Sequence, residues 1–222
     1  MKFSEWEPIY TEICYDMGYS KLEDEASVRL LESLTLDSNL GDEDDIAPLM
    51  KGTASVFGNA PCLEEDIGAL PPEGTLIAAG ASAGRVLDAG IMPDILVTDL
   101  DGDIAPQVRA SDGGALTLIL AHGDNRALLQ RYVSEFRGKV VLTAHGEPRG
   151  NVLGFGGFTD GDRSVCLARE FGAERIVLYG FDFENPRPKY GGDPMVKLRK
   201  LAWARRIIYS GGGRDVVLPQ QI

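Results

Sequence analysis

Alternate aspartates just past an apolar run are suited to holding a divalent cation, and residues 92–103, MPDILVTDLDGD, have that form. Ile95-Leu96-Val97 is short, β-branched and apolar, which predicts a buried parallel strand; ligands in open α/β sheets gather beyond the carboxyl ends of such strands. Asp99, Asp101 and Asp103 then fall in a glycine-containing turn at that end. Mg²⁺ keeps several waters and is typically shared between one or two carboxylates and substrate phosphates. The competing reading is a solvated acidic turn. A second apolar run, Leu116 to Leu120, leads into Ala121-His122-Gly123-Asp124-Asn125, so two successive strands end in carboxylates.

Other strand ends carry further candidates. Val56-Phe57-Gly58-Asn59-Ala60 enters a short helix through small residues, a turn that exposes backbone N–H groups to an anion. No Gly-Lys-Ser/Thr follows, so it is not a Walker A loop, and the turn at Gly80-Ala81-Ser82 lacks GxGxxG. Tight strand-to-helix packing explains either turn equally well. His122 and His145 each follow an apolar strand and precede a glycine, which suits contact with phosphate or substrate as well as a structural role. In Gly156 to Arg163, a glycine-rich loop carries acids and a guanidinium; it can close over a polar ligand, or Asp160 or Asp162 can cap the following helix. Asp182 lies between Phe181 and Phe183, aromatics able to sandwich a planar ring. Lys197, Arg199, Lys200, Arg205 and Arg206 form a basic helix, solvated by default but able to neutralise a polyphosphate if it faces the acidic edge. No nucleophile elbow, Ser-His-Asp arrangement or structural zinc pattern is present.

Strand-like runs at Ala54–Phe57, Leu76–Ala79, Ile95–Thr98, Leu116–Leu120, Val140–Thr143, Ile176–Tyr179 and Val216–Leu218 must position these groups. Helical patterns lie near Ala81–Ala89, Asp124–Phe136, Asp162–Phe171 and Pro194–Tyr209. The alternation predicts an α/β fold, a Rossmann-like and mainly parallel sheet with helices on both faces, over residues 51–222. Ahead of it, residues 1–50 read as a helical unit with apolar positions at Leu22, Ala26, Leu30, Leu31 and Leu34 and acids on a solvated face. That unit is expected to supply packing or subunit contacts while the ligand contacts come from beyond Lys51. A net charge of −12, most of it in the first fifty residues, argues against nucleic-acid binding. No apolar run is long enough to span a bilayer and the N-terminus has no signal-peptide core, so a cytoplasmic protein is expected. Cys14, Cys62 and Cys166 are odd in number and widely spaced, as buried thiols are.

Taken in order, SVFGNAPCL, GIMPDILVTDLDGD, AHGDN, GGFTDGDR, GFDF and KLRKL resemble the archaeal-type 6-hydroxymethyl-7,8-dihydropterin diphosphokinases, over nearly the whole chain from Lys51. A more distant similarity is to thiamine diphosphokinases. The chain departs from the family in reading Ala79-Gly80-Ala81 where an Ala-Asp-Gly-Ala segment is usual, so one carboxylate is missing there. The resemblance implies transfer of diphosphate from ATP to the hydroxymethyl group of a reduced pterin with release of AMP. It implies Mg²⁺ on Asp99, Asp101 and Asp124. Gly58, Asn59 and Ser82 would lie near the nucleotide or pterin, with His122, Asn125 and Arg163 on phosphate. Lys197 would be a mobile neutralising cation, and Asp182 an acceptor for the pterin's amino and ring N–H edge. Thiamine diphosphokinase and a non-catalytic nucleotide-binding module are the alternatives; a homo-oligomer is compatible with either.

Overall fold

Short β-branched runs bounded by glycines and polar turns form the strands, and every adjacent pair is parallel. The structure is a computed structural model that describes residues 1–185 and 193–221. In chain order the elements are α1 (Phe3–Met17), α2 (Lys21–Leu34), α3 (Glu43–Ile46), β1 (Thr53–Phe57), α4 (Leu63–Ala69), β2 (Thr75–Ala79), α5 (Ala83–Asp88), β3 (Ile95–Thr98), α6 (Ile104–Asp112) and β4 (Leu116–Ala121). There follow α7 (Arg126–Tyr132), β5 (Val140–Ala144), β6 (Val152–Leu153), α8 (Asp160–Glu170), β7 (Arg175–Tyr179), α9 (Pro194–Ile208) and β8 (Val216–Val217).

The sheet order is β6-β5-β4-β3-β2-β1-β7-β8. The chain builds outward from β1 to β6, then returns to add β7 on the other side of β1. That reversal opens a crevice beyond the carboxyl ends of β1 and β7, where doubly wound sheets bind ligands. Side chains alternate between two cores, as the pleat requires. Ile95, Val97 and Leu118 pack with Val165 and Leu167 of α8. Leu96 and Ile119 pack on the opposite face with Val28 and Leu31 of α2 and Leu129 of α7. The strands are thus buried on both faces, as an all-parallel sheet must be.

The N-terminal helices belong to these layers. α2 covers one face of the sheet, while Trp6, Tyr10 and Ile13 of α1 pack against Phe158, Cys166 and Ile207. The buried stripe of α2 is Asp24, Ser27, Val28 and Leu31, whereas Leu22 and Leu34 are exposed. The helix is therefore rotated from the phase its leucines suggest, because two polar residues on the inner face find hydrogen bonds there. The acids expected to be solvated are largely paired: Asp16 with Arg199, Glu12 with Arg206, Glu7 with Lys21 and Glu23 with Arg126. The basic helix α9 accordingly docks on the acidic side of α1. Cys14 and Cys166 are buried free thiols, and Cys62 is half-buried.

Two elements escape the sequence pattern. In α6 the aspartate of the acidic turn, Asp103, caps the helix by accepting the Ala105 N–H at 3.2 Å, and Pro106 in the first turn disguises the helical period. β6 has only two residues, too few to show an alternation.

Candidate active site

The Asp99–Asp101 turn depends on an unusual backbone. Leu100 is fully buried and adopts φ 65°, a left-handed conformation that leucine seldom takes. The conformation is held by local bonds: Leu100 N–H donates to Thr98 Oγ1 at 2.8 Å and Asp101 N–H to Asp99 Oδ1 at 3.0 Å. Gln107 of α6 buttresses it, accepting the Thr98 hydroxyl at 2.6 Å and donating to the Asp101 carbonyl at 2.8 Å. Leu100 is thus turned into the core while Asp99 and Asp101 both line a cleft of about 1100 Å³ along the carboxyl edge of the sheet. Backbone held in so sparsely populated a region is characteristic of functional sites.

Beside it, the β4 end folds into a one-turn helix. Asn125 is 2 % exposed; its Oδ1 accepts His122 N–H at 3.0 Å, and its Nδ2 donates to the Asp99 and Leu120 carbonyls at 2.9 and 2.7 Å. His122 Nδ1 accepts the Asp124 N–H at 3.4 Å, while Nε2 lies 3.6 Å from Asp99 Oδ2. Burial opposes ionisation of Asp99, but the His122 ring, the Asp101 amide and the Arg163 charge outweigh it and hold the carboxyl at about 2. Asp99 is therefore a carboxylate at any physiological pH.

A third carboxylate enters from α8. Asp160 lines the same cleft, and a Cβ at Gly80 would stand 2.8 Å from Asp160 Oδ2 and 3.1 Å from Thr98 Oγ1. The absence of a side chain at Gly80 thus leaves room for Asp160. Burial and the charges of Asp99 and Asp101 push the Asp160 carboxyl well up, against the pull of Arg163. Arg163 is 6 % exposed and donates to Asp160 Oδ1 at 3.1 Å and Thr143 Oγ1 at 2.6 Å. Asp162 caps α8, accepting the Phe158 and Thr159 amides at 2.5 and 2.8 Å.

At the sheet reversal, Gly58 and Gly180 cross so closely that a Cβ on either would stand 2.6 Å from the other's carbonyl oxygen. Ala60 N–H bonds the Gly180 carbonyl at 2.8 Å, and Asp66 accepts Gly180 N–H at 2.8 Å. Gly58, Asn59 and Phe181 through Phe183 line the cleft here. Asn59 Oδ1 accepts from Arg85 at 2.9 Å. Asp182 folds onto its own turn, accepting Glu184 N–H, Asn185 N–H and Asn185 Nδ2 at 2.9 Å each. α9 and the N-terminal segment also line the cleft, with Lys197, Lys200, Tyr10, Tyr19 and Asp24. Lys200 lies 5.7 Å from the Tyr19 ring centre and 5.8 Å from that of Phe158.

Of the residues singled out in the sequence, Asp99, Asp101, His122, Asp124, Gly58, Asn59, Lys197 and Asp182 line one cleft. Ser82, Asn125 and Arg163 do not contact it. Ser82 is buried and donates to the Phe57 carbonyl at 2.8 Å. Asn125 donates to the Asp99 and Leu120 carbonyls and Arg163 to Asp160 and Thr143, so all three support the cleft from behind its lining. Asp24 is a cleft residue that the sequence did not single out, visible only as one acid among many; Asp160, from the glycine-rich loop, and Lys200, from the basic helix, line the cleft as well. Among the described residues no three His, Cys, Asp or Glu side chains converge closely enough to hold a metal alone.

His145, behind His122, packs against Tyr10 at 4.7 Å between ring centres. Burial, aided by the charges of Arg163 and His122, pushes its imidazole well below the ordinary value, so it is neutral in the fold. An unfolded histidine titrates near about 6.5, so this group's contribution is present above that pH and is lost as pH falls below it. His145→Phe is expected to keep the ring packing and flatten the fall in stability between about pH 7 and pH 5. Urea titrations across that range check it; identical slopes in both proteins would place the proton uptake elsewhere.

A family model described as "6-hydroxymethylpterin diphosphokinase MptE-like" matches residues 35–187, more than half of the chain. The chain belongs to this family. Three relatives, each named 6-hydroxymethyl-7,8-dihydropterin pyrophosphokinase, support the placement. The protein from Pyrococcus furiosus is 39% identical over 94% of this chain and 93% of its own. That from Methanothermobacter thermautotrophicus is 35% identical, covering 94% of both chains. That from Methanocaldococcus jannaschii is 31% identical over 94% of this chain and 95% of its own. Among solved structures, the MAf glycosyltransferase from Magnetospirillum magneticum AMB-1 aligns with a TM-score of 0.49 at 19% identity, over 79% of this chain but only 30% of that one. In this MptE-like chain all six sequence motifs contribute residues to one cleft, and no helix among the described residues is long and apolar enough to cross a membrane.

Proposed function

We propose that the protein transfers diphosphate from ATP to the hydroxymethyl group of 6-hydroxymethyl-7,8-dihydropterin, releasing AMP, and uses Mg²⁺ to do so. One observation carries the reading: the Asp99–Asp101 turn, Lys197 and Lys200 all line a single cleft of about 1100 Å³. That exceeds the usual pocket of roughly 300–1000 Å³ for one small ligand, so a nucleotide and a pterin fit together. Carboxylates and ammonium groups lining one cleft suit a polyphosphate bound there with a divalent cation.

The residues fit Mg²⁺ as a shared ion. Asp99 and Asp101 would offer two carboxylates, with the remaining positions left to phosphate and water, and Asp124 on the same cleft would act through such a water. When bound, the ion would neutralise charge on the transferring phosphates. Transfer requires the pterin hydroxymethyl oxygen to attack the β-phosphorus as the bond from that phosphorus to the α-phosphate's bridging oxygen breaks, so the electron pair leaves with AMP. The protein's task is to hold these groups in line and balance charge. Lys197 and Lys200 supply positive charge from α9. Gly58 lets the β1 turn pass Gly180 at the sheet reversal, and the aromatic residues around Asp182 offer flat surfaces for a heterocycle. A pterin diphosphate made in this way is an activated precursor for folate- or methanopterin-type cofactors.

The test is a comparison of acceptors. With ATP and Mg²⁺, 6-hydroxymethyl-7,8-dihydropterin is expected to give AMP and a pterin diphosphate, whereas thiamine gives neither above background. AMP formation with thiamine alone would transfer the assignment to thiamine diphosphokinase, and nucleotide binding without AMP from either acceptor would make the protein a binding module.

A further inference from the structure

The N-terminal helices reach the site through a buried acid. Asp24, in the first turn of α2 and 6 % exposed, accepts the Gly123 N–H at 2.7 Å with Oδ1, and its Oδ2 accepts the hydroxyl of Tyr10 from α1. Gly123 lies between His122 and Asp124, both on the cleft wall. The two segments touch without room for a side chain, since a Cβ at Gly123 would stand 2.8 Å from Glu23 Cβ. Arg126, just past the turn, is paired with Glu23. Inside the turn, Asn125 ties His122 N–H to the Asp99 carbonyl. Tyr10, Asp24, the β4 turn and the β3 turn are thus joined by one continuous set of hydrogen bonds.

We propose that Asp24 is a positioning residue for this reaction: its bond to Gly123 sets the turn that carries His122 and Asp124, and α1 and α2 are therefore part of the reacting site's framework. The inference rests on the proposed function for the identity of the reaction, but not for the contact itself. A carboxylate accepting a backbone N–H makes a charge-assisted bond with little freedom to shift. In reactions catalysed by alignment, a displacement of roughly 1 Å costs on the order of 100-fold in rate. Asp24 acts only through the turn, so its loss should lower kcat while leaving the affinity for either ring system nearly intact.

The experiment compares Asp24→Ser, Asp24→Asn and Gly123→Ala with the unsubstituted chain, measuring pterin diphosphate formation, thermal stability and hydrogen exchange at residues 122–125. Asp24→Ser cannot reach Gly123, and kcat is expected to fall at least about tenfold with both KM values within about threefold. Asp24→Asn keeps an oxygen for the Gly123 N–H and is expected to restore kcat to within about threefold of the unsubstituted protein. Gly123→Ala forces the same segments apart with Asp24 intact and should reproduce the Asp24→Ser loss. A lowered melting temperature with unchanged kcat would show a merely structural residue and overturn the proposal, as would a raised KM at normal kcat. If Asp24→Ser does not fold, Gly123→Ala decides by the same criteria. If the unsubstituted chain makes no pterin diphosphate, the proposed function fails. The positioning claim is then judged by exchange at residues 122–125, faster exchange at unchanged global stability supporting it and unaltered exchange overturning it.

Discussion

Asp99→Asn and Asp101→Asn are each expected to cut turnover by at least about 100-fold, a loss of about 2.7 kcal/mol of transition-state stabilisation. The two carboxylates supply the negative wall of the cleft, and an amide of the same shape removes charge without opening a cavity. The fold is expected to survive, because the Asp99–Asp101 turn is held by Thr98 and Gln107 and by the Leu100 side chain in the core. An Asn at position 99 still accepts the residue-101 N–H through its amide oxygen. Circular dichroism with steady-state rates at saturating Mg²⁺ checks the expectation. Near-normal turnover in either folded variant would remove that residue from the charged wall.

The second large effect concerns stability. Arg163→Met is expected to cost about 3–5 kcal/mol, the range for removing one partner of a buried ion pair. Methionine fills similar volume, so the loss comes from charge and hydrogen bonding rather than from a void. Asp160 would keep its place beside Asp99 and Asp101 with its counter-charge gone, and Thr143 would lose the guanidinium at 2.6 Å. The double variant Arg163→Met, Asp160→Asn removes both charges and should recover part of the loss, since an uncompensated acid is the larger penalty. Urea unfolding measures all three proteins at one pH. A single-variant loss under about 1 kcal/mol would mean that Arg163 is replaceable by water at that position.

Much of the site was legible because its residues sit at strand ends, and strands in a parallel sheet are the easiest segments to read. The runs at Ile95, Leu116 and Ile176 are short and apolar on both faces, so the polar residue following each one had to emerge at the carboxyl edge. This placed Asp99, His122 and Asp182 on one edge from spacing alone. The phase of α2 was not legible: its leucines point to one face, but Asp24 occupies the buried stripe because a partner distant in sequence satisfies it, and Ser27 does so because its hydroxyl bonds the Glu23 carbonyl of its own helix. No local pattern announces a hydrogen bond to a residue 99 positions away. Asp160 was ambiguous between a ligand loop and a cap for a related reason, since an acid in the first turn of a helix is favoured at any helix start. For Ser82, Asn125 and Arg163, residue type suggested a ligand contact, whereas burial made them internal donors. Chemistry-bearing side chains are used for framework as readily as for binding, and only the direction of the side chain distinguishes the two.

The fate of the β-phosphorus tests the central claim most directly. The protein is incubated with Mg²⁺, 6-hydroxymethyl-7,8-dihydropterin and ATP labelled at either the β- or the γ-phosphorus, and products are separated by chromatography. Diphosphate transfer predicts that both labels appear in the pterin product and that unlabelled AMP accumulates in equal amount. Transfer of the γ-label alone, with β-labelled ADP left behind, would contradict it and make the protein an ordinary phosphoryl kinase.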